Sequence, residues 1–148
     1  MSIYGLTIKV KKSGRLKGPN LADPQLHAIG DVMVAEQKKR WEDGLNADGI
    51  PARKLSRRYF FIKRKYTRQV SPIRDMKMTG ATLANFSLRK AAQGVIRAEN
   101  TFRETRRRAN VAQAAEQMIG LSSSDQIAIF KASQLQYGLL LKKAWVPL

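Results

Sequence analysis

The chain has 148 residues, 43% of them hydrophobic, which is enough for one domain with a modest core and too much for a disordered chain. Its 28 Lys and Arg against 11 Asp and Glu leave a net charge of +17, which repels itself unless nucleic acid, an anionic membrane or an acidic protein lies against it. Cysteine is absent, which excludes disulfides, thiolate metal sites and cysteine nucleophiles together and removes any dependence on an oxidising compartment.

Residues 3 to 10 predict a strand, because Tyr4, Leu6, Ile8 and Val10 alternate with Ile3, Gly5, Thr7 and Lys9 and make one face apolar. This N-terminus has no apolar run of signal-peptide length, and no segment reaches the roughly 18 apolar residues of a membrane helix, so a soluble chain without a membrane partner is expected. Residues 13 to 24 follow neither apolar period and read as a basic loop or flexible arm.

Asp23 before Pro24 predicts a helix start, with the carboxylate accepting orphan amide protons and proline suiting the first helical position. Leu26, Ile29, Met33, Gln37, Trp41 and Leu45 then recur at helical spacing, and Gly44 marks the stop. Lys38, Lys39 and Arg40 lie where cations meet the negative end of the helix dipole, which is a sufficient reason for them. The following GLNADGIP reads as a turn of Asn, Asp and Gly.

The stretch PARKLSRRYFFIKRKYTRQ, residues 51 to 69, predicts a helix capped by Ser56, with Leu55, Tyr59, Ile62 and Tyr66 on one face; an edge strand with Tyr59, Phe61 and Lys63 alternating is the weaker match. Beyond a turn at SPIRD, Thr79 is placed to cap a short helix that buries Leu83 and Phe86 and ends at Gly94. Residues 95 to 100, VIRAEN, predict a strand. RETRRRANVAQAAEQM predicts a helix closed by Gly120, and SSSDQ opens a last helix through capping-box spacing, with Ile127, Phe130 and Leu141 on its apolar face.

Catalysis by acid–base or nucleophilic routes needs a matched set of groups, and the chain offers one histidine, His27, which reads as solvated helix surface. Asn46, Asp48 and Gly49 echo part of a calcium loop but lack its first acid and its closing glutamate. Walker, dinucleotide and zinc spacings are all missing, so neither an enzyme nor a cofactor is expected.

Function is therefore sought in binding. Arg53, Lys54, Arg57, Arg58, Lys63, Arg64, Lys65 and Arg68 fall in a segment, Ile50 to Arg74, that contains no acid. Cations release counterions from phosphates and aromatics stack on exposed bases, so this composition suits a nucleic-acid or acidic-partner contact. The plainer reading makes Tyr59, Ile62 and Tyr66 core and the cations a solvated face; the absence of any local carboxylate favours the contact. Arg106, Arg107 and Arg108 are further contact candidates, although Glu104 beside them fits an ordinary surface helix equally well. With no base-reading motif present, any DNA contact is expected to be to the backbone.

Three segments in order, Pro51 to Lys65, Met78 to Leu83 (MTGATL) and Met118 to Asp125 (MIGLSSSD), resemble the layout of the phage virion morphogenesis or tail-completion family. The shared pattern is a starting helix, a Pro-x-x-Leu-Ser region leading to a lysine, a Thr-Gly-x-x-Leu turn and a Gly-Leu-Ser-x-x-Asp segment opening the last helix. It covers about residues 24 to 140.

The resemblance implies a non-enzymatic virion protein of the head-to-tail neck, made in the host cytoplasm and assembled as a homo-oligomeric ring around the DNA channel. Its implied partners are portal or adaptor and tail proteins and genomic double-stranded DNA. The expected fold is a single α+β domain, a small antiparallel sheet packed against several helices with a basic extended arm or loop. Residues 1 to 23 supply its N-terminal strand and basic loop, and residues 24 to 148 the neck-like body. The alternative is a sequence-independent nucleic-acid-binding protein, in packaging or on the ribosome.

Overall fold

In the computed structural model, residues 5–10, 20–66, 84–100 and 118–144 are described. The first strand, β1 (Gly5–Lys9), lies along the predicted segment, with Leu6 buried, Ile8 and Val10 partly buried, and Thr7 and Lys9 exposed. The first helix, α1 (Asp23–Glu42), buries Leu26, Ile29, Met33, Gln37 and Trp41, the residues whose spacing announced it. Its N-cap is Ala22, without a side-chain capping bond, so Asp23 sits inside the first turn rather than capping it. There its negative charge still faces the positive end of the helix dipole.

α1 ends in a Schellman motif. Gly44, at φ +69°, lets its own N–H reach the Trp41 carbonyl and the Leu45 N–H reach the Arg40 carbonyl, which satisfies two carbonyls of the last turn. The chain then closes a tight loop in which Asn46 Oδ1 accepts the N–H groups of Asp48 and Ile50. Gly49, at φ +80°, completes the turn with its N–H on the Asn46 carbonyl. Ala52 N–H returns to the Gly44 carbonyl at 2.8 Å, and Leu45 pairs with Pro51, so the segment leading to the next helix is tied to the end of α1. That helix is α2 (Arg57–Tyr66).

Strands β2 (Phe86–Ala92) and β3 (Val95–Asn100) form an antiparallel hairpin. Its two-residue loop, Gln93 and Gly94, has φ of 54° and 71°, the geometry that matches the twist of paired strands. β1 pairs antiparallel with the other edge of β3, giving the order β1-β3-β2. The helix expected to bury Phe86 and run to Gly94 is therefore corrected: Phe86 is fully buried, but it opens a strand. Leu, Arg, Lys and Ala favour helices locally, and pairing with β3 overrides that weak preference, with an irregularity between Leu88 and Lys90 absorbing the mismatch. Thr79 and Leu83 lie outside the described residues, as does the helix predicted before Met118.

One core lies between α1 and the sheet. Trp41 meets Phe86 edge-on, ring centroids 4.9 Å apart, and Leu6, Ile96, Ala98, Leu26, Ile29 and Met33 fill the layer beside them. Gly30 allows the close approach. A Cβ there would stand 2.6 Å from Leu88 Cδ1 and 3.0 Å from Ile96 Cγ2.

The last helix, α3 (Ser123–Ala144), packs against α1 and opens with the predicted capping box. Ser122 Oγ accepts the Asp125 N–H, and Asp125 Oδ2 accepts the Ser122 N–H at 3.0 Å. Its inward residue is Ile129, not Ile127 or Phe130, which are exposed and correct the predicted face; the Leu141 side chain lies outside the described set. The architecture is α+β, with a three-stranded antiparallel sheet and helices over it.

Candidate polyanion-binding surface

The chain segment that leads to α2 starts at a junction that ties the start of α3 to the end of α1. Arg40 and Asp125, 85 positions apart, form an ion pair at 2.9 Å with both side chains only 3% exposed. The remaining donors of the guanidinium reach the Asn46, Met118 and Gly120 carbonyls. Gln37 brackets the same segment, its Nε2 donating to the Met118 carbonyl and its Oε1 accepting the Gly120 N–H, and Trp41 Nε1 donates to the Met118 carbonyl at 2.9 Å. Burial pushes the Arg40 guanidinium below its ordinary pKa, and the Asp125 charge and hydrogen bond push back. An arginine starts so far above neutrality that it remains charged here.

Arg40 thus does more than meet the helix dipole. It is the clamp that joins the end of α1, the turn at Asn46 and the start of α3. Reading the sequence for ionic neighbours within one helix turn could not find its partner. The capping spacing of Ser122 and Asp125 was the one local signal, and it disclosed half of what Asp125 does.

From this junction the Leu45–Ala52 loop leads into α2. Ser56 caps it as expected, its Oγ accepting the Tyr59 N–H at 3.3 Å and its carbonyl accepting the Phe60 N–H at 2.9 Å. The basic stretch is therefore helical from Arg57 to Tyr66, as its spacing predicts, rather than an edge strand. Its rotation differs from the predicted one. Phe60 is half-buried and Lys63 is 3% exposed, so these two face inward, whereas Tyr59, Phe61 and Ile62 are exposed. Tyr59 and Ile62 are therefore not core residues, and the Tyr66 side chain lies outside the described set.

Arg53, Lys54, Arg57, Arg58, Arg64 and Lys65 are all exposed, and Lys63 leaves the candidate set because it is buried. Arg68, Arg106, Arg107 and Arg108 lie outside the described residues. The six exposed cations share one short segment with three exposed apolar side chains, a combination that attracts polyanions and offers them an apolar contact as well.

A second exposed surface belongs to α3. Ile127, Phe130 and Leu135 project outward, Phe130 at 63% exposure, with Lys131 and Gln134 among them. A Cβ on Gly138, four positions past Gln134, would meet nothing within 4 Å.

The other sequence candidates take their places plainly. His27 is exposed, 3.8 Å from Asp31 one turn on, as a surface histidine would be. Asn46 is buried and spends its side-chain oxygen on the turn backbone. Among the described residues no group of three or more His, Asp or Glu could hold a metal, and no helix is long and apolar enough to cross a membrane.

Comparison with known proteins finds no matching family model, no significantly similar curated protein and no significantly similar solved structure.

Proposed function

We propose that this chain is a structural protein of the head-to-tail neck of a tailed phage or phage-like particle, joining or completing head and tail around the DNA channel. The observation that carries the proposal is α2, a capped helix that turns Arg57, Arg58, Arg64 and Lys65 outward within a stretch free of acids. Such a helix has no carboxylate within its own stretch of chain and suits a polyanionic surface, either the genome or an acidic adjoining ring. The ordered Pro51–Lys65, Met78–Leu83 and Met118–Asp125 segments direct the choice toward the neck.

The exposed apolar side chains of α3 support the ring part of this reading. A chain of charge +17 can meet its own copy only where charge is sparse. The outward face of α3 suits that condition, since among its described side chains Ile127, Phe130, Gln134 and Leu135 accompany one cation, Lys131. A second copy is accordingly the occupant assigned to it, and closed symmetric assembly would bury these side chains.

The test is mass spectrometry of purified particles after nuclease treatment and a high-salt wash, with and without Arg57→Gln, Arg58→Gln, Arg64→Gln and Arg68→Gln combined. Retention of the native chain at a small fixed ratio to the portal, and poor assembly or DNA retention with the variant, is the expected result. Loss of the native chain in the wash would transfer the assignment to a free, sequence-independent nucleic-acid-binding protein.

A further inference from the structure

Phe61 occupies an unusual place on α2. Residues three and four apart are neighbours on a helix, and those of Phe61 are Arg57, Arg58, Arg64 and Lys65, all exposed. An aromatic ring, itself 54% exposed, therefore stands at the centre of four cations. Phe60 lies against one side of it, ring centroids 6.2 Å apart, and restricts where the ring can go.

Cations alone suffice for a duplex backbone, which presents phosphates and no face of a base. An exposed Phe in their midst adds nothing to that contact and leaves apolar surface in water. An unstacked base supplies what the duplex backbone lacks, a flat π-face whose flanking phosphates fall on either side. Along the helix axis the pair Arg57 and Arg58 is separated from Arg64 and Lys65 by about 10 Å, which leaves room between the two pairs for a base with a phosphate on either side. A strand of phosphates also neutralises several cations in sequence, which suits a segment with no carboxylate of its own.

We infer that Phe61 is a base-stacking platform, and that α2 recognises an unstacked nucleobase held between flanking phosphates, in a single strand or at a duplex end. The inference rests on the reading of α2 as a polyanion contact and specifies the polyanion.

The experiment uses the full chain and fluorescence anisotropy with three probes: oligothymidylate of about 16 nucleotides, a blunt linear duplex of that length and a relaxed closed circular duplex as competitor. Phe61→Ser, at an exposed site, should leave the circular dichroism spectrum unchanged. It should weaken binding of oligothymidylate, of the blunt duplex or of both by roughly 5- to 100-fold and alter the circular duplex by less than about twofold. Dependence on Phe61 for oligothymidylate identifies a single strand as the source, and dependence for the blunt duplex alone identifies its ends. Phe61→Trp should retain binding and show fluorescence quenching on stacking.

Equal effects of Phe61→Ser on all three probes, or none on any, would overturn the inference. So would polyglutamate that binds with the same dependence on Phe61, since this would make the partner an acidic protein. Retention of the chain in salt-washed particles is read separately, so the neck assignment can survive the loss of this one.

Discussion

Asp125→Ala tests whether the junction at Arg40 holds the molecule together. The substitution removes the carboxylate paired at 2.9 Å with a guanidinium that is 3% exposed, together with the acceptor of the Ser122 N–H. Removing one partner of a buried pair leaves the other charge uncompensated, at about 3–5 kcal/mol, and loss of a helix cap adds about 1 kcal/mol. The expected destabilisation is about 4–6 kcal/mol, a large share of the total stability of a small domain. Ser122→Ala removes the reciprocal cap alone and should cost about 1 kcal/mol. Asp125→Asn keeps an acceptor and loses the charge, so it should fall between them. Urea unfolding followed by tryptophan emission reports directly, because the Trp41 indole is fully buried and bonded to the Met118 carbonyl of the same junction. The difference should persist from low to high salt, since a buried pair is screened far less than a surface one. A cost for Asp125→Ala no greater than that for Ser122→Ala, with an unchanged denaturant slope, would refute the reasoning.

Gly30→Ala should lower the thermal midpoint, because a Cβ 2.6 Å from Leu88 Cδ1 forces the α1–sheet contact apart at about 1–3 kcal/mol, more than the roughly 1 kcal/mol that alanine returns to a helix; a stabilised variant would show that the layer repacks freely. Phe130→Ser combined with Leu135→Ser should shift sedimentation velocity toward the monomer while the unfolding midpoint of the monomer stays in place, since both side chains are exposed in the single chain. Unchanged assembly in that pair would remove α3 from the subunit contact.

The elements legible in the sequence share one property. β1 follows from alternation, α1 from a stripe of six apolar or amide positions, and the caps at Ser56 and Ser122 from residues three positions apart. Each depends on neighbours within a turn or two, and that information lies along the chain. The exposed cations of α2 were legible for the same reason, as a run with no acid inside it.

The rest was decided in three dimensions. Phe86–Ala92 contains helix formers and became a strand because β3 offered a partner, a choice that no property of the segment discloses. Ile127, Ile129 and Phe130 are spread around α3, so periodicity leaves its rotation open; docking of Asp125 on Arg40 turns Ile129, four positions on, inward and leaves Ile127 and Phe130 outside. The same holds for α2, where Lys63 rather than Tyr59 or Ile62 is buried. Composition and local spacing determined that this chain carries a basic, capped helix. Only the folded structure, which buries Lys63 and leaves Arg57, Arg58, Arg64 and Lys65 exposed, decided which of its side chains a partner can reach.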